Sequence, residues 1–468
     1  MVHKSMTTLS LAELAQRLRD GTLSAEALAQ YASAAHAEHD LEAYRAFDSE
    51  QLVRQAQAAD KALGVGADLG ALQGIPCSVK DLYGLAGFRT YAGSPHALPA
   101  RWEQDAALVA TARRQLAVLA GKTHTVEFAF GGIGTNPHWP TPRNPWDAGA
   151  HRVPGGSSSG AGVSLAEGSA FVALGTDTAG SVRIPASFTG QVGLKTSVGR
   201  WSTDGIVPLS PTLDTPGVLT RSVADLTYAF GALDPRWSGP RALHNALDGR
   251  RVAELRLALG EMFFWQACAD DVADVVRQAV DALVGRGARL LDAPELDAPA
   301  AHALFRQGGP VAPELHAFLQ HELPAWRASL DPNVAARVTA GAELSASDYL
   351  QRLQTLRRLA AAADAALQQV DAVLTPTVPI PPPTRAEVAS AEAYRAQNLL
   401  ALRNTSVVNY LGLCAISLPV GLDSRGLPVG MQLIGRHGRE EALLAAACAI
   451  ERALGTPRQR LGQAPLGV

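Results

Sequence analysis

The sequence is poor in cysteine, in clustered charge and in long apolar runs. Its 468 residues include four cysteines, widely spaced and without a CxxC pair, so we expect neither a disulfide framework nor a cysteine-based zinc site. A formal net charge of −3 without a basic cluster argues against a nucleic-acid partner. No stretch approaches about twenty apolar residues, and residues 1–11 lack the apolar core of a secretory signal. These absences predict a cytoplasmic protein without a membrane span.

Signatures of bound metals and nucleotides are missing as well. The 12 histidines are scattered and form no HExxH motif, which argues against a metal-dependent hydrolase. The glycine-rich stretch at residues 155–162 lacks the Gly-Lys-Ser/Thr ending of a phosphate-binding loop and does not match GxGxxG. We therefore expect no metal and no cofactor.

Apolar residues make up 47% of the chain, enough for a large core. Short apolar runs alternate with helical periodicity, which favours an α/β fold with a parallel or mixed sheet. Residues 299–368 are almost wholly helical in pattern and predict a helical cover beside the site. A further helix is predicted at residues 106–119, with Gly121 as its stop signal. The predicted strands are residues 72–81, 170–174, 192–194, 256–259, 288–291, 370–374, 415–418 and 432–434.

Two serine-bearing glycine loops bracket residues 154–181. They read PGGSSSG at residues 154–160 and GTDTAGS at residues 175–181, with a core-forming segment between them. A flexible Gly/Ser linker is the simplest alternative, but linkers are not usually interrupted by apolar runs. A nucleophile elbow centred on Ser158 also fits GxSxG. That motif must follow a strand directly, whereas residues 146–154 read as a loop.

The remaining arrangement is a serine nucleophile with a lysine base, formed by Lys80, Ser157 and Ser181. A lysine can act as a base when burial or nearby positive charge lowers its pKa. The alternative for Lys80 is a lysine whose stem covers apolar surface at a strand end. Backbone N–H groups between a strand and a helix can stabilise an oxyanion. The expected donors are the N–H groups of Thr178, Ala179, Gly180 and Ser181.

Several motifs together resemble the amidase signature family of serine hydrolases, over nearly the whole chain. The spacing of 24 residues from Ser157 to Ser181 matches the family pattern. Ala179 stands where the family more usually has glycine, as in allophanate hydrolases, and Cys77 replaces a more usual aliphatic residue. The motifs are PGGSSS at residues 154–159, GIPCSVKD at 74–81, NPWD at 144–147, GTDTAGSVRIP at 175–185, TPT at 375–377 and GLPVGMQ at 426–432.

The resemblance implies a single α/β domain over residues 1–468, with a mixed central sheet flanked by helices and a helical cover at about residues 299–368. It also implies a Ser–cis-Ser–Lys triad. Ser181 would be the nucleophile, Ser157 the bridging serine in a cis peptide bond, and Lys80 the base. The supporting residues that the resemblance implies are Gly156, Ser158, Asp177 and Arg183, of which the last two would brace the loop around the nucleophile.

The activity that the resemblance implies is hydrolysis of a carbon–nitrogen bond in a small-molecule amide, or in a carbamate, through an acyl-enzyme on Ser181. The segments expected to line the pocket are residues 128–139, 202–213 and 299–368. Four aromatic residues either indicate an apolar or aromatic substrate or belong to the core. They are Phe128, Phe130, Trp139 and Tyr410.

The alternative is the glutaminase subunit of a tRNA-dependent amidotransferase complex. Relatives of that kind carry an acidic residue shortly before an NxxG segment. The corresponding segment here is residues 409–412, and residues 399–408 contain no acid. This omission favours a stand-alone amidase, for which a homodimer is compatible with the sequence.

Overall fold

In the computed structural model, which describes residues 6–247 and 249–468, one mixed sheet runs through the molecule. Residues 1–5, part of the segment considered for a secretory signal, lie outside the described residues. The strands of the described part follow the order β1-β3-β2-β4-β6-β5-β10-β11-β9-β7-β8. They are β1 (Tyr44–Phe47), β2 (Pro76–Lys80), β3 (Val118–Thr123), β4 (Val172–Asp177), β5 (Val192–Lys195), β6 (Thr215–Thr220), β7 (Arg256–Leu259), β8 (Arg289–Leu291), β9 (Ala372–Pro376), β10 (Cys414–Leu422) and β11 (Pro428–Gly435).

Strand β2 pairs in parallel with both β3 and β4, and every residue of these three strands is buried. Burial on both faces explains why these strands read as nearly continuous apolar runs. Because β2 and β4 run in the same direction, their last residues, Lys80 and Asp177, reach the same edge of the sheet. The sheet therefore brings the charged side chains of Lys80 and Asp177 into the same buried region.

Helices cover both faces of the sheet. Two of them begin at serine N-caps, where Ser10 and Ser24 accept backbone N–H groups of the first turn. The helices of the described part are α1 (Leu11–Arg19), α2 (Ala25–His39), α3 (Ser49–Gly64), α4 (Ala107–Arg114), α5 (Ser159–Ala166), α6 (Arg183–Thr189), α7 (Val223–Leu233), α8 (Pro240–Leu247), α9 (Asp270–Gly285), α10 (Ala298–Arg306), α11 (Val311–Glu322), α12 (Pro332–Ala342), α13 (Ala346–Ala366), α14 (Ala391–Tyr410), α15 (Glu440–Leu454) and α16 (Pro457–Leu461).

The predicted α/β fold with a mixed sheet flanked by helices is confirmed, and helices α10–α13 occupy the segment expected to form a helical cover. We use the term helical cover for residues 298–366 below. Over residues 6–247 and 249–468, no helix combines the length and the apolar character needed to cross a membrane.

The predicted helix at residues 106–119 is wrong in its second half. Helix α4 ends at Arg114, Leu116 turns the chain with a φ of 56°, and β3 follows. Gly121, expected to stop the helix, lies inside that strand. Its φ of 137° and its close approach to the carbonyl of Ala46 on β1 require the missing side chain.

Candidate active site

Lys80 is the last residue of β2, which lies between β3 and β4 in the sheet, and its side chain is completely buried. Its Nζ donates hydrogen bonds to Ser157 Oγ at 2.7 Å and to Thr176 Oγ1 at 2.8 Å. This geometry excludes the alternative in which the stem of Lys80 covers apolar surface and its amine reaches water. The sheet holds the amine against the first serine loop.

Ser157 follows a cis peptide bond from Gly156, as the family resemblance implies. The Gly156 N–H donates to Gly132 O at 2.7 Å, and Ser157 O accepts the N–H of Val126 at 3.1 Å. The Ser158 N–H donates to Ser181 O at 3.2 Å. These backbone bonds tie the two glycine loops to each other and to the turn at residues 126–132.

Ser158 does not fit the role of an elbow nucleophile. Its side chain is completely buried, and its hydroxyl donates to Thr176 O at 3.3 Å. Of the three serines in the first loop, Ser157 is the one that accepts a hydrogen bond from Lys80. Ser158 therefore helps to join the first loop to β4.

Ser181 lies in the turn between β4 and α6 and is 3% exposed, at the wall of a cavity. Gly180 precedes it with a φ of 134°, a conformation that side chains rarely adopt. Thr178 and Ala179 line the same cavity. Within the described chain, the N–H groups of these two residues and of Ser181 donate to no other backbone or side-chain atom.

Gly180 differs from the prediction that its N–H faces the substrate. That N–H donates to Asp177 Oδ1 at 2.8 Å. The carboxylate lies inside the β4–α6 turn and also accepts the N–H of Val182 at 3.1 Å. Of the four expected donors, the N–H groups of Thr178, Ala179 and Ser181 remain as candidates to face a substrate.

Arg183 braces this turn from a fully buried position. It donates to Asp177 through Nε at 3.0 Å and through Nη2 at 2.9 Å, and to Thr405 O at 3.0 Å. Its remaining partners are the side-chain oxygens of Gln432, on β11, and Asn409, on α14. Distant motifs of the sequence thus meet at one guanidinium group.

Burial and nearby charge set the protonation of these groups. Burial lowers the pKa of Lys80 to about 7, although Asp177 and Asp214 oppose this shift. Burial alone would raise the pKa of Asp177, but the Arg183 guanidinium outweighs it and holds that pKa well below its usual value. The site thus contains a lysine that loses its proton near neutrality beside a carboxylate that stays ionised.

Two polar residues of the site escaped the sequence analysis. Thr176 is the second acceptor for Lys80, and Asp214 accepts the hydroxyl of Thr178 at 2.6 Å. Burial raises the pKa of Asp214 to about 6. The parallel pairing of β2 with β4 could have indicated Thr176, because it puts the end of β4 beside Lys80. Asp214 lies in a loop with no comparable signal.

The cavity has a volume of about 730 Å³ and extends from Ser181 to the helical cover. The segment at residues 128–139 contributes only its first part, and the segment at residues 202–213 contributes only Leu209. Among the four aromatic residues considered, Phe130 and Tyr410 line the cavity, whereas Phe128 is core. Trp139 is not part of the wall. Helix α14, from which the sequence analysis considered only Tyr410, contributes Ala391, Tyr394, Arg395, Asn398, Leu399, Leu402 and Tyr410.

The sequence profile of the Amidase family matches residues 26–444. The chain belongs to this family. It is 49% identical over 456 residues to the 2-amino-5-chloromuconic acid deaminase of Comamonas testosteroni, covering 97% of this chain and 98% of the relative. It is 36% identical over 468 residues to an amidase of Pseudomonas putida, covering 96% of this chain and 97% of the relative.

A solved amidase crystal structure superposes with a TM-score of 0.84 at 30% identity, covering 96% of this chain and 100% of that one. The amidase signature resemblance is therefore confirmed over nearly the whole chain. As an Amidase-family enzyme, the protein hydrolyses carbon–nitrogen bonds of small molecules.

Proposed function

We propose that this enzyme cleaves the carbon–nitrogen bond of a small amide through an acyl-enzyme on Ser181, with Ser157 as proton relay and Lys80 as base. The observation that carries the proposal is the buried hydrogen bond of 2.7 Å between Lys80 Nζ and Ser157 Oγ. A serine hydroxyl is a weak nucleophile without an adjacent base. Burial lowers the pKa of Lys80 to about 7, so its amine is partly uncharged near neutral pH and can act as that base.

The reaction begins when neutral Lys80 accepts the proton of Ser157 while Ser157 accepts that of Ser181. Ser181 Oγ then attacks the carbonyl carbon. The tetrahedral intermediate collapses as the relay returns a proton to the leaving nitrogen, so that ammonia or an amine departs. Water loses a proton to the same relay, attacks the acyl-enzyme and releases the carboxylic acid, which restores Ser181.

The developing oxyanion would be stabilised by the N–H groups of Thr178, Ala179 and Ser181. Loss of one such donor typically costs about 3–4 kcal/mol of transition-state stabilisation. The Asp177–Arg183 pair supports this arrangement indirectly, because it fixes the turn that carries the donors.

A second candidate is release of ammonia from an amino-substituted unsaturated acid. The observation that favours it is the 49% identity to the 2-amino-5-chloromuconic acid deaminase. The two candidates share the site and differ in whether the attacked carbon belongs to an amide. A carbamate could be cleaved through the same relay of Lys80, Ser157 and Ser181. The glutaminase alternative has less support, because residues 399–408, within the helix that lines the cavity, contain no acid.

Active-site labelling tests the nucleophile directly. A fluorophosphonate probe should modify Ser181, as mapped by peptide mass spectrometry, in the wild type and in the matched control Ser158→Ala. Label on Ser158, or label that persists in Ser181→Ala, would contradict the assignment.

A substrate panel tests the reaction. It compares kcat/KM for an acyl-anilide, a primary aliphatic amide, an aryl carbamate, glutamine and 2-amino-5-chloromuconic acid. Turnover of an amide that requires Ser181 supports the amidase proposal. Turnover of 2-amino-5-chloromuconic acid alone favours the deaminase candidate. Glutamine turnover that depends on a co-purifying partner favours the amidotransferase alternative.

A further inference from the structure

The cavity wall carries an excess of positive charge. Four arginines line it, and among the described residues of the wall Glu343 is the one acidic side chain. Glu343 is exposed. The arginines are Arg306, Arg337, Arg352 and Arg395.

Arg337, on α12, is half-buried and held in one orientation. Its guanidinium lies 4.1 Å from the centre of the Phe130 ring, and its Nε donates to Asn333 O at 3.0 Å. Its Nη2 donates to Phe130 O. Both acceptors are carbonyls, and its positive charge forms no ion pair with a carboxylate of the described chain.

Arg352, on α13, is similar. It is half-buried, and its Nη1 donates to Gln307 O at 3.0 Å and to Gly309 O at 2.9 Å. Glu314, a neighbouring acid on α11, accepts its hydrogen bonds from hydroxyl and amide groups rather than from an arginine. These donors are Ser210, Thr212 and Tyr349.

Such guanidinium groups suit a bound anion. A fixed guanidinium presents planar N–H donors that match a carboxylate, and partial burial strengthens the interaction. Elsewhere in the described chain, the two buried arginines are paired: Arg183 with Asp177, and Arg200 with Asp234. Half-buried Arg221 and Arg403 donate to carbonyls, as Arg337 and Arg352 do, but do not line the cavity. Arg337 and Arg352 instead face an open cavity that also contains Ser181.

We propose that Arg337 and Arg352 bind a carboxylate group of the substrate, so that the enzyme acts on small acids that bear the scissile carbon–nitrogen bond. The inference rests on the proposed function for the position of the reacting carbon at Ser181. It differs from the apolar or aromatic substrate that the sequence offered as one of two alternatives. Phe130 and Tyr410 pack along the carbon chain while the arginines take the charged end.

Binding to the Ser181→Ala protein tests this proposal without turnover. Isothermal titration would compare three monoamides of dicarboxylic acids, succinamic, glutaramic and adipamic acid, with butanamide, pentanamide and hexanamide. We expect at least one acid to bind about tenfold or more tightly than its neutral partner. Adding Arg337→Met should weaken binding of that acid by about 10- to 100-fold and leave the neutral amide unchanged.

Arg358→Met is the matched control, because Arg358 is exposed on α13 and does not line the cavity. Thermal unfolding checks that each variant is folded. If Arg337→Met does not fold, Arg352→Met provides the second test. Equal affinity for acids and neutral amides in all three pairs would overturn the proposal, as would an equal loss for both ligands. In the wild type, acid binding without turnover would contradict the proposed amidase function but leave this inference intact. Turnover of hexanamide without preference for adipamic acid would support the proposed amidase function but contradict this inference.

Discussion

At the ends of β2 and β4, charged side chains are completely buried and hydrogen-bonded to partners within the protein. By contrast, Arg337 and Arg352 of the helical cover are half-buried and donate to carbonyls. Lys80, Asp177 and Arg183 have no exposed surface. Arg337 and Arg352 face a cavity and have no carboxylate partner in the described chain. The buried charges thus have their partners within the protein, whereas the two arginines would gain a carboxylate partner from a bound ligand.

This difference separates reaction from recognition. Groups on the sheet are fixed by strand pairing, so substitutions there should reduce kcat or unfold the protein. The cavity arginines depend on a ligand for a counter-charge, so substitutions there should change KM and leave folding nearly intact. Substitutions in the two regions test that separation.

Ser181→Ala should lower kcat/KM by about four orders of magnitude or more, because nothing else supplies the attacking oxygen. The melting temperature should stay close to that of the wild type, since the side chain is small and borders a cavity. Steady-state kinetics and thermal unfolding measure both quantities. Retention of more than a few per cent of the activity would show that another group is the nucleophile.

Arg183→Met should lower the free energy of unfolding by about 3–5 kcal/mol, because it leaves the Asp177 carboxylate buried without a partner. The same change at exposed Arg358 should cost less than about 0.5 kcal/mol. Denaturant unfolding measures both. Similar losses for the two variants would remove the distinction between the two regions.

Lys80 should make stability depend on pH. Burial lowers its pKa to about 7 from an ordinary value of 10.5, so between these values the unfolded chain binds more protons at this residue. The free energy of unfolding should therefore rise with pH across that interval, and Lys80→Met should remove part of the slope. Lys61→Met, an exposed substitution on α3, serves as the control. An unchanged slope in Lys80→Met would mean that Lys80 remains charged in the folded protein.

Thr176→Val should have the smallest effect in this set. It removes one of the two acceptors for Lys80 Nζ at nearly constant volume, which is worth about 1 kcal/mol. We expect kcat to fall by about fivefold with little change in KM. Because Thr176 acts through Lys80, the pH dependence of kcat should also shift, whereas a purely structural role would leave it unchanged.

The sequence was most informative where function depends on residues that are close along the chain. The PGGSSSG and GTDTAGS loops contain Ser157, Ser181 and Asp177, and the strand that ends at Lys80 could be read from its apolar run. Strand pairing was less accessible. It decides that Thr176 meets Lys80, and the turn around Asp177 decides that the Gly180 N–H points at the carboxylate rather than at a substrate.

Packing between distant segments could not be predicted. The wall formed by α14 depends on how that helix lies against the helical cover and the turn between β4 and α6, which no local pattern records. The same holds for Asp214 and for the start of β3, where Val118 and Leu119 continue the predicted helical pattern but pair with β2. Motifs therefore specified the candidate reacting groups, and tertiary contacts specified their surroundings.

The rate at which a fluorophosphonate modifies Ser181, measured against pH, tests the central claim most directly because it needs no knowledge of the substrate. The account predicts that the second-order rate constant rises with pH through about 7 as Lys80 loses its proton, and that Lys80→Met gives a low rate without this rise. A wild-type rate that does not change with pH, or a rise that persists in Lys80→Met, would contradict the assignment of Lys80 as the base.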